Sequence, residues 1–365
     1  MTQATTTGGY LSNGLWIKTQ PSFYTPAQIA RYLDYVKFSS PVSPSDIGRF
    51  QPSLEALEEI MRCHLLTFPW ENTAMHYTED HSMDVSPEGL YCRFVEEGKG
   101  SYCFGHTTIL LGILRGLGFR VYAGAAKVNH HHQTADKPPV YGFLTHAILF
   151  VQPIPNSNET FIADVGFGSL NFARPVPLRE GAVVRGAFDG EWQRLVRGVN
   201  HDSAVDVSEN ANDSPHRRWH LEVIRYPRGA VVDETKKWKR FYSFTEEEFS
   251  VGDYEDASFL VSQRPGKGIF WNMLLCGKAF VDDDDDDDDG EEGDSNSTPS
   301  ANSTNYYRLF LVNDEVKRYD KKGVRVVRVV RGESERLDVL REVFGVTIAR
   351  EAVRYMEGRV PYLAE

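Results

Sequence analysis

A helical rhythm of dry and wet positions starts at Thr25-Pro26, a hydroxyl cap followed by proline in the first turn, and runs through Ile29, Tyr32, Leu33 and Val36. A second helix follows Pro52, with Leu54, Leu57, Ile60, Met61 and Leu65 on its apolar side and Cys63 as a small core filler. Ser86-Pro87 opens a third, carrying Leu90, Tyr91, Phe94 and Val95 before Gly98 ends it. The fourth begins at Cys103 and keeps Ile109, Leu110, Ile113, Leu114 and Leu117 dry up to the stop at Gly118. Residues 1–118 therefore read as a helical region with no strong strand signal.

Beyond Gly118 the period shortens. Phe119–Val128, Phe143–Val151 and Phe161–Gly166 are short runs rich in β-branched and aromatic residues, separated by turn chemistry. Further strands are expected near Arg194–Gly198, His220–Tyr226 and Lys239–Phe244, which together suggest a β-barrel or curled sheet with a polar insert at Asn200–Arg217. From about residue 236 the pattern mixes a strand at Arg325–Val330 with a helix pair, Ser334–Phe344 and Ala349–Glu357. Asp282–Asn305 is Asp, Gly, Ser, Asn and Thr almost throughout, a composition that buries nothing and repels itself, so a disordered surface loop is expected there.

Composition narrows the class. At 365 residues the chain calls for two or three subdomains, and 41% hydrophobic with 12% aromatic content suits a globular enzyme. The net charge of −12 argues against nucleic acid as a partner. No apolar run approaches the roughly 20 residues of a membrane span. The first residues lack the basic and apolar regions of a secretion signal, and four scattered cysteines suit a reducing compartment, so a cytoplasmic protein is expected.

The candidate chemistry starts with Cys103. A cysteine in the first turn of a helix sits where unpaired backbone N–H groups and the positive dipole end favour a thiolate. The same groups could hold an oxyanion formed at an attacked carbonyl. The plain alternative is a buried, inert cysteine. A nucleophile also needs a base and a group to orient it. His146 and Asp164 each lie inside an apolar strand, where both are costly unless paired. A hairpin centred on Pro155 would set them directly opposite on one face, and a slip of one residue would separate them. With Cys103 they would form a Cys-His-Asp triad. The His130-His131-His132 tract could catch a metal, but the loop-like stretch after it favours a surface insert, and no zinc-site spacing, P-loop or dinucleotide glycine motif is present.

These residues together resemble the arylamine N-acetyltransferases. Pro69-Trp70-Glu71-Asn72 looks like that family's Pro-Phe-Glu-Asn segment, and Gly100-Ser101-Tyr102-Cys103-Phe104 like its Arg-Gly-Gly-Tyr-Cys-Phe stretch. His146 follows in order, and Asp164-Val165-Gly166-Phe167-Gly168 matches the family's Asp-Val-Gly-Phe-Gly signature. The resemblance implies an α+β fold of three subdomains around a cysteine-protease-like triad: a helical bundle (1–118), a β-barrel (119–235) and an α/β lid (236–365). It implies transfer of an acetyl, propionyl or malonyl group from acyl-coenzyme A to an arylamine, arylhydrazine or arylhydroxylamine through a thioester on Cys103, in ping-pong order and without a metal. By the same carry-over Phe167, Trp70, Phe143 and Phe104 are expected near the substrate, and Gly168 and Ser169 toward coenzyme A. Handling of xenobiotic aromatic amines would follow, and the chain's length and acidic stretch suit a fungal-type branch. Lys99, Ser101 and Gly105-His106-Thr107 depart from the family pattern and put acyl selectivity in doubt. A papain- or transglutaminase-like thiol enzyme is the rival reading, and an inactive module binding acyl-coenzyme A or an aromatic ligand is another.

Overall fold

The computed structural model describes residues 9–132, 137–168, 174–187, 190–205, 214, 216–226, 237–266, 268–282 and 306–364. Ser169 and nearly all of the acidic stretch, 283–305, lie outside the described residues.

Chain order begins with a two-residue strand, β1 (Gly9–Tyr10), then α1 (Pro26–Tyr35) and α2 (Leu54–Thr67). The first helix starts as its sequence announces, with Thr25 and Gln28 closing a reciprocal capping box, and the second is capped by the Ser53 hydroxyl, which accepts from the N–H of Ala56. β2 (Trp70–Glu71), α3 (Ala74–Tyr77) and α4 (Pro87–Tyr91) follow, α4 running on into a π-helical turn at Cys92–Glu96. Next comes α5 (Cys103–Gly116), in which every side chain from Cys103 to Leu114 is buried. A helix that is dry all round belongs in the middle of a protein, and α5 packs against α1, α4 and the central sheet. The chain leaves it through Gly118 at φ +82°, a left-handed position that suits glycine.

The large sheet is built from β3 (Arg120–Asn129), β4 (Tyr141–Gln152), β5 (Glu159–Ala163), β6 (Val176–Pro177), β7 (Val183–Arg185), β8 (Glu191–Gly198), β9 (Arg218–Arg225) and β10 (Lys239–Phe244), with β1 at one edge. Its order is β1-β5-β4-β3-β10-β9-β8-β7, and β6 lies on β5. A bridge from Glu180, just after β6, to Leu195 of β8 draws the far edges toward each other, so the sheet is curled. α6 (Val251–Ser262) and α7 (Ile269–Asn272) lead into a second, antiparallel sheet, β14-β13-β12-β11-β2, formed by β11 (Leu275–Val281), β12 (Tyr306–Val312), β13 (Glu315–Asp320), β14 (Gly323–Val329) and the early β2. α8 (Glu333–Phe344) then covers its own small core.

Three differences from the sequence reading have physical causes. Residues 1–118 do hold strands, but two-residue ones, too short to show a period: β1 pairs with β5 and β2 with β11. The expected last helix is only a 3-10 segment, Arg350–Tyr355, none of whose side chains is buried, so tertiary packing does little to lengthen it. Finally, β4 and β5 pair Leu149 with Ala163 and Phe150 with Ile162, two residues away from the register that would place His146 opposite Asp164. A two-residue slip keeps side chains on the same face. The diagonal neighbours still meet.

Candidate active site

Cys103 is the first residue of α5, after Tyr102 in extended conformation at the cap position. The Tyr102 hydroxyl is hydrogen-bonded to Ser258 of α6 and tethers the start of the helix. Sγ of Cys103 lies 3.5 Å from the carbonyl oxygen of Thr145. That carbonyl is available because β4 bulges here: Ala126 pairs with His146 and Lys127 with Leu144, which leaves Thr145 out of the ladder. A bulge re-aims side chains beside it, and the next one is His146. No sequence signal marks this bulge.

His146 is 2% exposed, and its Nε2 lies 2.7 Å from Oδ2 of the fully buried Asp164. The carboxylate only accepts, so Nε2 carries the proton and Nδ1 is the atom left for the thiol. Asp164 has two further partners: the Gly166 N–H donates to Oδ1 at 2.9 Å, and the Tyr242 hydroxyl donates to Oδ2 at 3.0 Å. Burial by itself would hold the imidazole neutral. Attraction to Asp164 and the hydrogen bond with it, helped by Cys103, outweigh burial and push the His146 pKa up to about 9.

The glycine two residues after Asp164 is a steric necessity. A Cβ on Gly166 would fall 2.8 Å from the Cys103 Cα, so any side chain there would drive the helix start off the sheet. Its carbonyl accepts from the Trp70 indole N–H at 2.7 Å, and Trp70 is bridged to Ser101. The Pro69–Asn72 segment, the cysteine loop and the Asp164–Gly168 turn are thus bonded into one frame.

The remaining candidates separate. The Phe167 ring edges onto His146 at 4.7 Å and meets Tyr242 and Phe241 as well. Trp70 packs with Phe270 and Phe310, and Gly168 abuts its ring. Phe104 is in the core between Tyr102 and Tyr254, whereas Phe143 is 67% exposed near the start of β4. His132, from the histidine tract, turns inward and packs on Phe167 and Phe241, with Nδ1 donating to the Asn129 carbonyl. Lys99 pairs with Glu97 at the surface. The cation that reaches the cysteine loop is Arg93, which donates to the Gly100 carbonyl, Glu71 and Thr73. Tyr242, Arg93, Phe270 and Phe310 escaped the sequence reading because each comes from a distant element and looks like ordinary core or surface.

Beside this site lies a second buried histidine. His106, one turn after Cys103, bonds the Pro69 carbonyl through Nε2 and His64 through Nδ1, and His64 in turn meets the Tyr32 hydroxyl. A carbonyl only accepts, so Nε2 of His106 is the protonated nitrogen and its Nδ1 accepts from His64.

The same combination of helices and curled sheet occurs in solved acyltransferases. The arylamine N-acetyltransferase from Mycobacterium abscessus superposes with a TM-score of 0.65 at 20% identity, over 90% of this chain and 93% of that one. The Mycobacterium marinum enzyme in complex with CoA gives 0.65 at 20% identity over 92% and 100%. In sequence, the family model for N-acetyltransferase matches residues 53–284, and the chain belongs to this arylamine N-acetyltransferase family. It is an acyl-coenzyme A-dependent N-acyltransferase. Among its relatives are the N-malonyltransferase FDB2 of Gibberella moniliformis, 25% identical over 90% of both chains, and the arylamine N-acetyltransferase of Mycolicibacterium smegmatis, 29% identical over 65% of this chain and 73% of that one.

Proposed function

We infer that the chain carries an acyl group from acyl-coenzyme A to an aromatic amine by way of a thioester on Cys103. The observation that carries this reading is the His146 imidazole, held between the thiol and a three-bonded Asp164 and biased toward its charged form. The Sγ proton moves to Nδ1, and the resulting thiolate attacks the thioester carbonyl of the donor. The bond to the coenzyme A sulfur breaks, and that sulfur leaves with the proton held by His146. The amine nitrogen then attacks the Cys103 thioester, His146 takes a proton from it, and the proton returns to Sγ as the amide departs. Unpaired N–H groups at the start of α5 stabilise each oxyanion. Phe167 and Trp70 supply an apolar wall for a flat ring.

Malonyl, acetyl and propionyl groups are the donors to compare, since one relative is named a malonyltransferase and others acetyltransferases. A cytoplasmic enzyme acting on foreign aromatic amines fits four unpaired cysteines and the lack, among the described residues, of a helix able to cross a membrane. Rapid mixing with each acyl-coenzyme A, before any amine is added, should release one equivalent of free coenzyme A per active site and leave an acylated Cys103. Slow release without a burst, or an unmodified Cys103 in the mass spectrum, would end this reading.

A further inference from the structure

Two helices grip the strand that carries His146. On α5, Cys103 and Thr107 stand one turn apart on the same side. Sγ of Cys103 lies 3.5 Å from the Thr145 carbonyl oxygen, and the Thr107 hydroxyl donates to the Ala147 carbonyl at 3.2 Å. These are the carbonyls immediately before and after His146. β5 pairs with β4 only at residues 149–151, so the stretch bearing the imidazole lies beyond that ladder. The buried Thr107 supplies a bond there that strand pairing with β5 does not.

The second grip comes from α6. Its Tyr254 hydroxyl is shared between the carbonyls of Gly124 at 2.6 Å and Ile148 at 3.3 Å, two residues paired across β3 and β4. One turn further along α6, Ser258 holds the hydroxyl of Tyr102, the residue before Cys103. The Tyr254 ring also meets Phe104, the residue after the nucleophile. One face of α6 thus reaches both neighbours of Cys103 and the strand two residues past His146, which makes the helix a spacer between thiol and imidazole. Tyr102, Tyr254 and Ser258 are all buried, so water does not compete for these bonds.

A buried hydroxyl needs an acceptor wherever it lies, and a bond alone is no sign of a part in the reaction. What singles out these two hydroxyls is where their acceptors are. Proton transfer from Sγ to the imidazole depends steeply on their separation, and a displacement of about 1 Å can cost about 100-fold in rate. Tyr24 provides the contrast: it is also buried, but its hydroxyl donates to the Pro87 carbonyl at 3.1 Å, at the start of α4. We propose that Thr107 and Tyr254 are positioning residues for acyl transfer, fixing the His146 strand in place against the Cys103 sulfur. This rests on the acyltransfer reading given above.

The test is the pair of single variants Thr107→Val and Tyr254→Phe, which keep shape and lose one hydroxyl each. Each should slow the burst of coenzyme A released from acetyl-coenzyme A by about tenfold, with the KM for the donor within about twofold of wild type. Alkylation of Cys103 by iodoacetamide at neutral pH should slow in parallel. Thr107→Ser keeps the hydroxyl and should return both rates to within about twofold of wild type. Tyr24→Phe should lower Tm and leave both rates unchanged. Unchanged rates in either Thr107→Val or Tyr254→Phe, whatever the Tm, overturn the proposal. So does a loss in Thr107→Ser equal to that in Thr107→Val, or an equal slowing by Tyr24→Phe. Alkylation needs no acyl donor: a wild type that released no coenzyme A would end the acyltransfer reading, while slower alkylation in the two variants would still support the positioning role.

Discussion

Two buried histidines border the first turn of α5, and one is biased toward its charged form while the other stays neutral. His146 and His106 are both sealed from water, and each has a hydrogen-bond partner at either nitrogen or beside it. Around His106 the partners are a carbonyl and a neutral imidazole, so burial dominates and its pKa falls to about 4. Around His146 burial acts in the same direction, but the adjacent Asp164 reverses the outcome. A single carboxylate thus separates a structural histidine from one fit to accept a proton. Burial and hydrogen bonding are common to both and distinguish neither.

The comparison can be tested in order of expected effect. Cys103→Ser should abolish transfer while circular dichroism and Tm stay near wild type, because the hydroxyl fits the site but does not ionise there; residual wild-type turnover would remove the nucleophile. Asp164→Asn should lower kcat/KM by about 10³–10⁴-fold and drop the His146 pKa below its ordinary range, read by NMR of the ring protons. That variant makes His146 resemble His106. If its pKa stayed high, some other group would be responsible.

His106→Leu should act on the other side of the comparison, costing about 1–3 kcal/mol of stability because the His64 N–H and the Pro69 carbonyl lose a partner. The His146 titration should not move, and a shift of it would mean that the two histidines are coupled. Tyr242→Phe takes one of three donors from Asp164 and should slow transfer by roughly tenfold with little change in the amine KM; an unaltered rate would make the hydroxyl a packing contact only.

The pH effect is the smallest and the most specific. His146 has a folded-state pKa near 9 against an ordinary 6.5, so its contribution to stability is complete below pH 6.5 and is lost as pH rises through about 9. Denaturation midpoints between pH 6 and pH 9.5 should fall more for wild type than for Asp164→Asn. Parallel curves would contradict the assigned shift.

The candidate site was legible where chemistry is local. Thr25 and Ser86 cap the helices they announce, and Cys103 begins the helix its periodicity marks. His146 and Asp164 stood out as polar residues in dry strands, and alternation kept them on one face even though the pairing sits two residues from a simple hairpin. Elements whose pattern is weak or whose partners are distant were not legible. β2 is two residues long and exists only because β11, some two hundred positions later, pairs with it. The Thr145 bulge, the Tyr242 hydroxyl on Asp164 and the Arg93 bonds to the cysteine loop leave no local signature, since each depends on which segments meet.

The sequence by itself determined which side chains could react and which faces had to be dry, because ionisation, capping and period are properties of neighbours along the chain. The tertiary structure alone decided which of two similar histidines is charged. That depends on the field of a carboxylate brought alongside by strand pairing, and a field acts through space.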